Sequence, residues 1–398
     1  MCPDCYAVGG YILDLYEEGR IDEDLCTVDI GIERSRREAP ALWAQLERFS
    51  FERQKALIVE TARFKSWGLA EKLCMDSEDF APHDPRKAAE LAELAVDIAL
   101  SLDDWQPAEK HWLDELRALS WAELANARRV LGDLRKAGQA SAEADGFWDP
   151  AFADVGDVNG FAARYFALKA SLKRAERHLP EAFELLETAL AADSPPVLKV
   201  RILINKAKTL EEDGNLEAAI AILSEARALA EETEIDPRSR LCLVQNQLDY
   251  LSKAERFMEA ALAVEDVRRV GAELGGTIDE IRLRWTEARI AKGLGNAEEA
   301  VARYREVYES LGEEGLLFDS ALISLELGLV HLDLRQPKET AECVSYALPI
   351  LTSQSVEREA LAAVALLTKA MEEEKLTREL LAQALEVFKR SKRDVIAS

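Results

Sequence analysis

The chain has 398 residues, 48% hydrophobic and 31% charged, which is enough apolar mass for a large core and too much for a disordered chain. Fifty Lys and Arg against seventy-five Asp and Glu leave a formal net charge of −25, a balance that repels phosphate backbones and disfavours a nucleic-acid partner. No stretch approaches the ~20 consecutive apolar residues that cross a bilayer, and abundant Ala, Leu and Glu with sparse Gly and Pro favour an all-α protein.

Residues 1–50 are expected to form an N-terminal helical segment. The opening "MCPDCYAVGGYILDLYEEGR" lacks a basic stretch followed by an apolar run, so no secretory signal is read there and a cytoplasmic location is expected. Cys2 and Cys5 have metal-like spacing, but a structural zinc site needs four ligands. The nearest further thiol is Cys26, and no second pair or nearby histidine follows. Cys74, Cys242 and Cys343 fall inside helical patterns, as reduced thiols do, and no cofactor is implied.

Residues 51–117 read as a degenerate helix pair, "FERQKALIVETARFKSWGLAEKLC" and "DPRKAAELAELAVDIALSL", with Pro82 and Pro85 in the connection. Residues 118–350 repeat. Ala207, Ala219 and Ala226 share their spacing with Ala125, Ala137, Ala144 and with Ala170, Ala182, Ala189. The same spacing returns at Leu248, Ala260, Val267, at Ala288, Ala300, Val307, and at Gly328, Thr340, Ala347. Six units of about forty residues result. Gly132-Asp133, Gly214-Asn215 and Gly295-Asn296 supply a C-cap glycine and a polar residue to open the next helix. "AERHLPEA", "AERFMEA" and "RQPKETA" keep the same length without glycine. Residues 351–398 supply a last helix pair that ends polar and basic, as a capping element must.

Small residues at this spacing, Gly-Asp/Asn turns, and an aromatic (Trp121, Phe166) four residues before the first small one resemble the tetratricopeptide repeat, in its longer-repeat bacterial form. The resemblance implies a right-handed α-solenoid of antiparallel helix pairs whose first helices line a concave face. On that face the register places Asn126 and Arg129, then Arg164, Ser171 and Arg174, then Arg201 and Lys208 against Glu211. Gln245, Asn246, Asp249 and Ser252 follow, then Arg282, Trp285, Arg289 and Lys292. Peptide-binding members of the family use Lys, Arg and Asn there, so the resemblance implies a protein or peptide partner presenting an acidic or C-terminal segment. The blander reading pairs these cations with acids on adjacent helices. The sixth unit carries Leu322, Leu325, Leu329 and Leu332 on the same face, either as an apolar docking patch or as core beneath the C-terminal helices. Trp105, Trp112 and Trp121 pose the same choice between docking and packing, with core packing the favoured reading.

Catalysis is not expected. His83, His111, His178 and His331 are scattered, and no phosphate loop, nucleophile elbow or supported Cys/His pair occurs. The function expected is a protein-interaction scaffold. The alternative is a peptide-sensing or inhibitory regulatory subunit acting on an effector such as a protease or transcription factor.

Overall fold

Small side chains let helices cross closely, and their forty-residue recurrence in this chain sets a stack of helix pairs. A computed structural model describes residues 13, 14, 17, 30–81, 84–102, 110–148, 160–192, 194–274, 276–354, 363–365, 367, 368, 370, 371 and 375–391. No strand occurs among the described residues, and no helix is long and apolar enough to cross a membrane. The chain divides into two compact units. The first holds residues 1–215 and 225–234, and the second holds 216–224 and 235–397. The division falls inside the stretch read as six repeats, at a helix, α10 (Leu216–Glu232), rather than at a linker.

The first unit contains α1 (Ile30–Leu46), α2 (Phe51–Glu60), α3 (Trp67–Phe80) and α4 (Pro85–Leu100). It continues with α5 (Lys110–Val130), α6 (Leu134–Phe147), α7 (Phe161–Ala175), α8 (Leu179–Ala191) and α9 (Pro196–Glu212). Successive helices pair as α3 with α4, α5 with α6 and α7 with α8. The first members of the pairs also lie side by side, α1 on α3, α3 on α5, α5 on α7 and α7 on α9.

The helix expected across residues 51–74 is broken. Thr61 is extended, a single 3₁₀ turn covers Ala62–Phe64, and Ser66 caps α3 by accepting from the Leu69 N–H. The break serves a helix crossing. Gly68 lies so close to α1 that a Cβ there would stand 2.3 Å from the Ser35 carbonyl oxygen, and the Ser35 hydroxyl accepts from the Gly68 N–H at 2.9 Å. One helical turn further on, Arg36 forks onto Glu71 at 2.7 and 2.9 Å, and both side chains are buried.

The second unit contains α11 (Pro237–Lys253), α12 (Phe257–Leu274), α13 (Thr277–Gly293) and α14 (Ala297–Glu313). It ends with α15 (Leu317–Asp333), α16 (Pro337–Gln354) and α17 (Arg378–Ser391). Here α11 pairs with α12, α13 with α14 and α15 with α16, while α13 lies beside α11 and α17 beside α15.

The repeat residues lie at the contacts in both units. Ala137, Ala182, Ala219, Ala260, Ala300 and Thr340 are all buried, and so are Ala144, Ala189, Ala226, Val267, Val307 and Ala347. The turns follow from a left-handed residue after each first helix. Gly132, Gly214 and Gly295 hold φ of 81°, 85° and 83°, and the glycine-less units place Arg177, Glu255 and Arg335 at 64°, 60° and 58° instead. In each case the residue after it bonds back to a carbonyl near the helix end, as Asn215 N–H does to Leu210 O and Arg256 N–H to Leu251 O.

Candidate partner-binding face

The eleven residues expected to face a partner all stand on first helices. In the first unit these are Asn126 and Arg129 on α5, Arg164 and Arg174 on α7, and Arg201 and Lys208 on α9. In the second they are Gln245 and Asn246 on α11, and Arg282, Trp285 and Arg289 on α13. Arg164, Arg174, Arg201 and Arg289 are held by carboxylates from other first helices.

In the first unit the central cation is Arg164. Its Nε donates to Glu123 Oε1 at 2.8 Å and its Nη2 to Glu78 Oε2 at 3.0 Å, and Glu78 also pairs with Arg201. The order Glu123–Arg164–Glu78–Arg201 alternates in charge and climbs outward. Side-chain exposure runs 0%, 13%, 24% and 43% along it. Burial pushes the Glu123 carboxyl above its ordinary value, and Arg164 opposes that shift. Glu123 Oε2 finds no hydrogen-bond partner among the described residues. Beside it, the Cys74 thiol donates toward the Ser120 hydroxyl at 3.6 Å. Burial, reinforced by Glu123, pushes that thiol up to about 12, so it carries no thiolate at neutral pH. Arg174 and Arg177 share Glu212 at 3.2 and 2.8 Å, and Asn126 accepts twice from Arg129.

A second ladder runs through the other unit. Lys253 and Arg289 flank Asp249 at 2.9 and 2.8 Å, and the Arg289 guanidinium stacks over Trp285 with 4.8 Å to the ring centroid. The Trp285 indole donates to Glu326 Oε2 at 2.9 Å, and Lys389 of α17 reaches Glu326 Oε1 at 2.7 Å. Burial works to raise the Glu326 carboxyl, but Lys389, Arg289 and the indole outweigh it and hold it at about 2. Asp249 is likewise held below the carboxylate range against its burial, by Lys253 and Arg289. Arg282 and Arg238 both pair with Asp279, and Gln245 donates to the Asp279 carbonyl at 3.4 Å. Asn246 Nδ2 is buried with no hydrogen-bond partner among the described residues.

Sequence reading found the cations of the first helices and missed most of the groups around them, the acids Glu78, Glu123 and Glu326 and the Glu326 partner Lys389. One signal was present. Glu123 and Glu326 stand two residues before the first small residue of their units, Ala125 and Gly328, a register that aims an acid at the neighbouring first helix.

The leucines of the sixth unit are a correction. Leu322, Leu325 and Leu329 are interior, packed with Val344, Leu367, Leu381, Leu385 and Phe388, so they offer no apolar face for docking. The amphipathic α17 covers them. Trp121 is partly buried between two clusters, and Trp112 packs on the core of the first unit. His331 is buried with its Nδ1 against Gln336 at 2.6 Å. Cys2, Cys5, Cys26, His83 and Trp105 lie outside the described residues, as does the side chain of His111.

No family model and no curated protein matches the chain. Solved structures do. A Rap protein complexed with Competence and Sporulation Factor is 11% identical, with a TM-score of 0.52 over 81% of this chain and 90% of that one. Aspartyl phosphate phosphatase F from Bacillus subtilis is also 11% identical, with a TM-score of 0.51 over 90% of this chain and 94% of that one. Both units are all-α and built of adjacent helix pairs, a fold like that of these two solved structures. At these identities the likeness is one of fold, alongside the buried small residues and left-handed turns described above.

Proposed function

We propose that the protein is an interaction module that binds a segment of a partner protein, or a free peptide, along the polar face of its first helices. The observation that carries this reading is the pair of charge ladders. Arg164, Arg201 and Arg289 already hold carboxylates in hydrogen-bonding geometry on these helices, so an acidic or C-terminal segment is the matching ligand class. Such a segment has to compete with the chain's own Glu78 and Asp249, which makes recognition selective for a closely fitted carboxylate rather than for negative charge in general. The reading is of a binding protein and not of an enzyme, acting in the cytoplasm.

A second reading makes the same face a sensor that regulates an effector protein. It is favoured by one neighbour in fold, the Rap protein, having been solved with Competence and Sporulation Factor bound. The two readings share the site and differ in whether occupancy alters the grip on a second protein.

The test is capture of partners from native cells by tagged wild type and by an Arg201→Glu, Lys208→Glu variant with unchanged helicity. Arg201 is exposed and Lys208 is half-buried. A stoichiometric partner held by wild type and lost by the variant supports the module. A partner held equally by both moves the interface away from the first helices.

A further inference from the structure

Glu78 makes a contact that the packing of the helices does not itself provide. It stands on α3, and its carboxylate meets Arg164 of α7 and Arg201 of α9, the latter 123 residues away. Within the first unit α3 packs on α5, α5 on α7 and α7 on α9. Packed helices stand about 8–10 Å apart, so three steps across a flat layer separate α3 from α9 by roughly 24–30 Å. A glutamate and an arginine cannot span that gap. The pair closes only because the first-helix layer of this unit curls, and it runs as a chord across the hollow side.

Two features bear on how Glu78 is held there and how readily it leaves. The last turn of α3 carries no basic residue, and Glu78 shares that end with Asp76 and Asp79, so the negative end of the helix dipole opposes its charge. The chord is also the solvent end of the ladder, with Glu78 24% and Arg201 43% exposed, where an ion pair gains little and exchanges readily.

We propose that Glu78 is an internal strap. It occupies the Arg164–Arg201 fork that a carboxylate of the partner takes, and its release opens the hollow face of the first unit. This rests on the interaction-module reading. No covalent step is involved. The incoming carboxylate replaces Glu78 on both guanidinium groups, and the Glu78 charge passes to solvent. Arg164 keeps Glu123 beneath it throughout, so no buried charge is left alone at any stage.

The test compares wild type, Glu78→Gln and Glu78→Gln/Arg201→Gln, all at low salt. Amide hydrogen exchange reads the strap without any ligand, and fluorescein-labelled hexaglutamate reads the fork by anisotropy. Glu78→Gln is expected to speed exchange at the end of α3 and the start of α9 by threefold or more, and to bind hexaglutamate about tenfold tighter than wild type. The double variant is expected to lose that gain. Unchanged exchange in Glu78→Gln overturns the strap. Faster exchange with equal hexaglutamate binding by wild type and Glu78→Gln overturns the gating and leaves carboxylate binding standing. Faster exchange with no binding by either form removes the carboxylate reading of the first helices, and the gating with it.

Discussion

Replacing Arg164 by leucine isolates the buried half of the first ladder. Glu123 is fully buried, and Arg164 is the cation bonded to its Oε1. Glu78, a quarter exposed, can turn to solvent and keep Arg201, but Glu123 cannot leave. Removing one member of a buried pair costs about 3–5 kcal/mol, because an uncompensated charge remains inside. For a unit of some two hundred residues, each kcal/mol moves the midpoint by about 2–4 °C, so the fall is about 6–20 °C. The sign of the pH dependence follows. Burial already raises the Glu123 carboxyl, and without Arg164 it rises further. Stability lost at neutral pH therefore returns as pH falls through that raised value and the carboxyl protonates. The assay is thermal unfolding followed by circular dichroism between pH 4.5 and 8, with Arg164→Leu/Glu123→Leu as the partner variant. The double variant is expected to recover most of the loss and to show no pH-dependent recovery. A double variant as unstable as the single one refutes the reasoning.

Three further expectations follow from the packing and the ladders. Gly68→Ala forces its Cβ against the Ser35 carbonyl, so α1 must move, at a cost of about 1–3 kcal/mol in urea unfolding and with faster proteolysis around residue 35. Leu325→Ala leaves a cavity beneath α17 and is expected to cost about 2–5 kcal/mol in the second unit, read as a lowered urea midpoint with α17 amides exchanging first. Glu326 contributes stability that is complete above its ordinary value of 4.5 and is lost as pH falls toward its folded value of about 2. Lys389→Met removes its nearest cation, so acid unfolding of the second unit followed by tryptophan fluorescence is expected to begin at higher pH.

The fold was legible because its signals are local. Ala207, Ala219 and Ala226 lie within twenty residues of one another, and a helical hairpin with small residues at these offsets has few other ways to pack. The turns were legible where glycine marks them. At Arg177, Glu255 and Arg335 conserved length replaced the glycine signal, and the backbone pays the left-handed strain without it. The break at Thr61–Ser66 was not legible, because its cause is the approach of Gly68 to Ser35 on another helix. The candidate site was half legible. Register alone put Arg164, Arg201 and Arg289 on first helices, but whether they stand free depends on Glu78, Glu123 and Asp249, which are 123, 41 and 40 residues from the arginines they hold. Leu322, Leu325 and Leu329 were ambiguous for the same reason, since their cover comes from a helix more than fifty residues later in the chain.

The most direct test of the account is lysine cross-linking of the protein to its captured partner, read by mass spectrometry. First helices carry Lys208, Lys253 and Lys292, while second helices carry Lys136 and Lys338. Binding along the first helices predicts links to Lys208, Lys253 or Lys292 that vanish when an acidic competitor peptide releases the partner. Links confined to Lys136 and Lys338, unchanged by the competitor, contradict it.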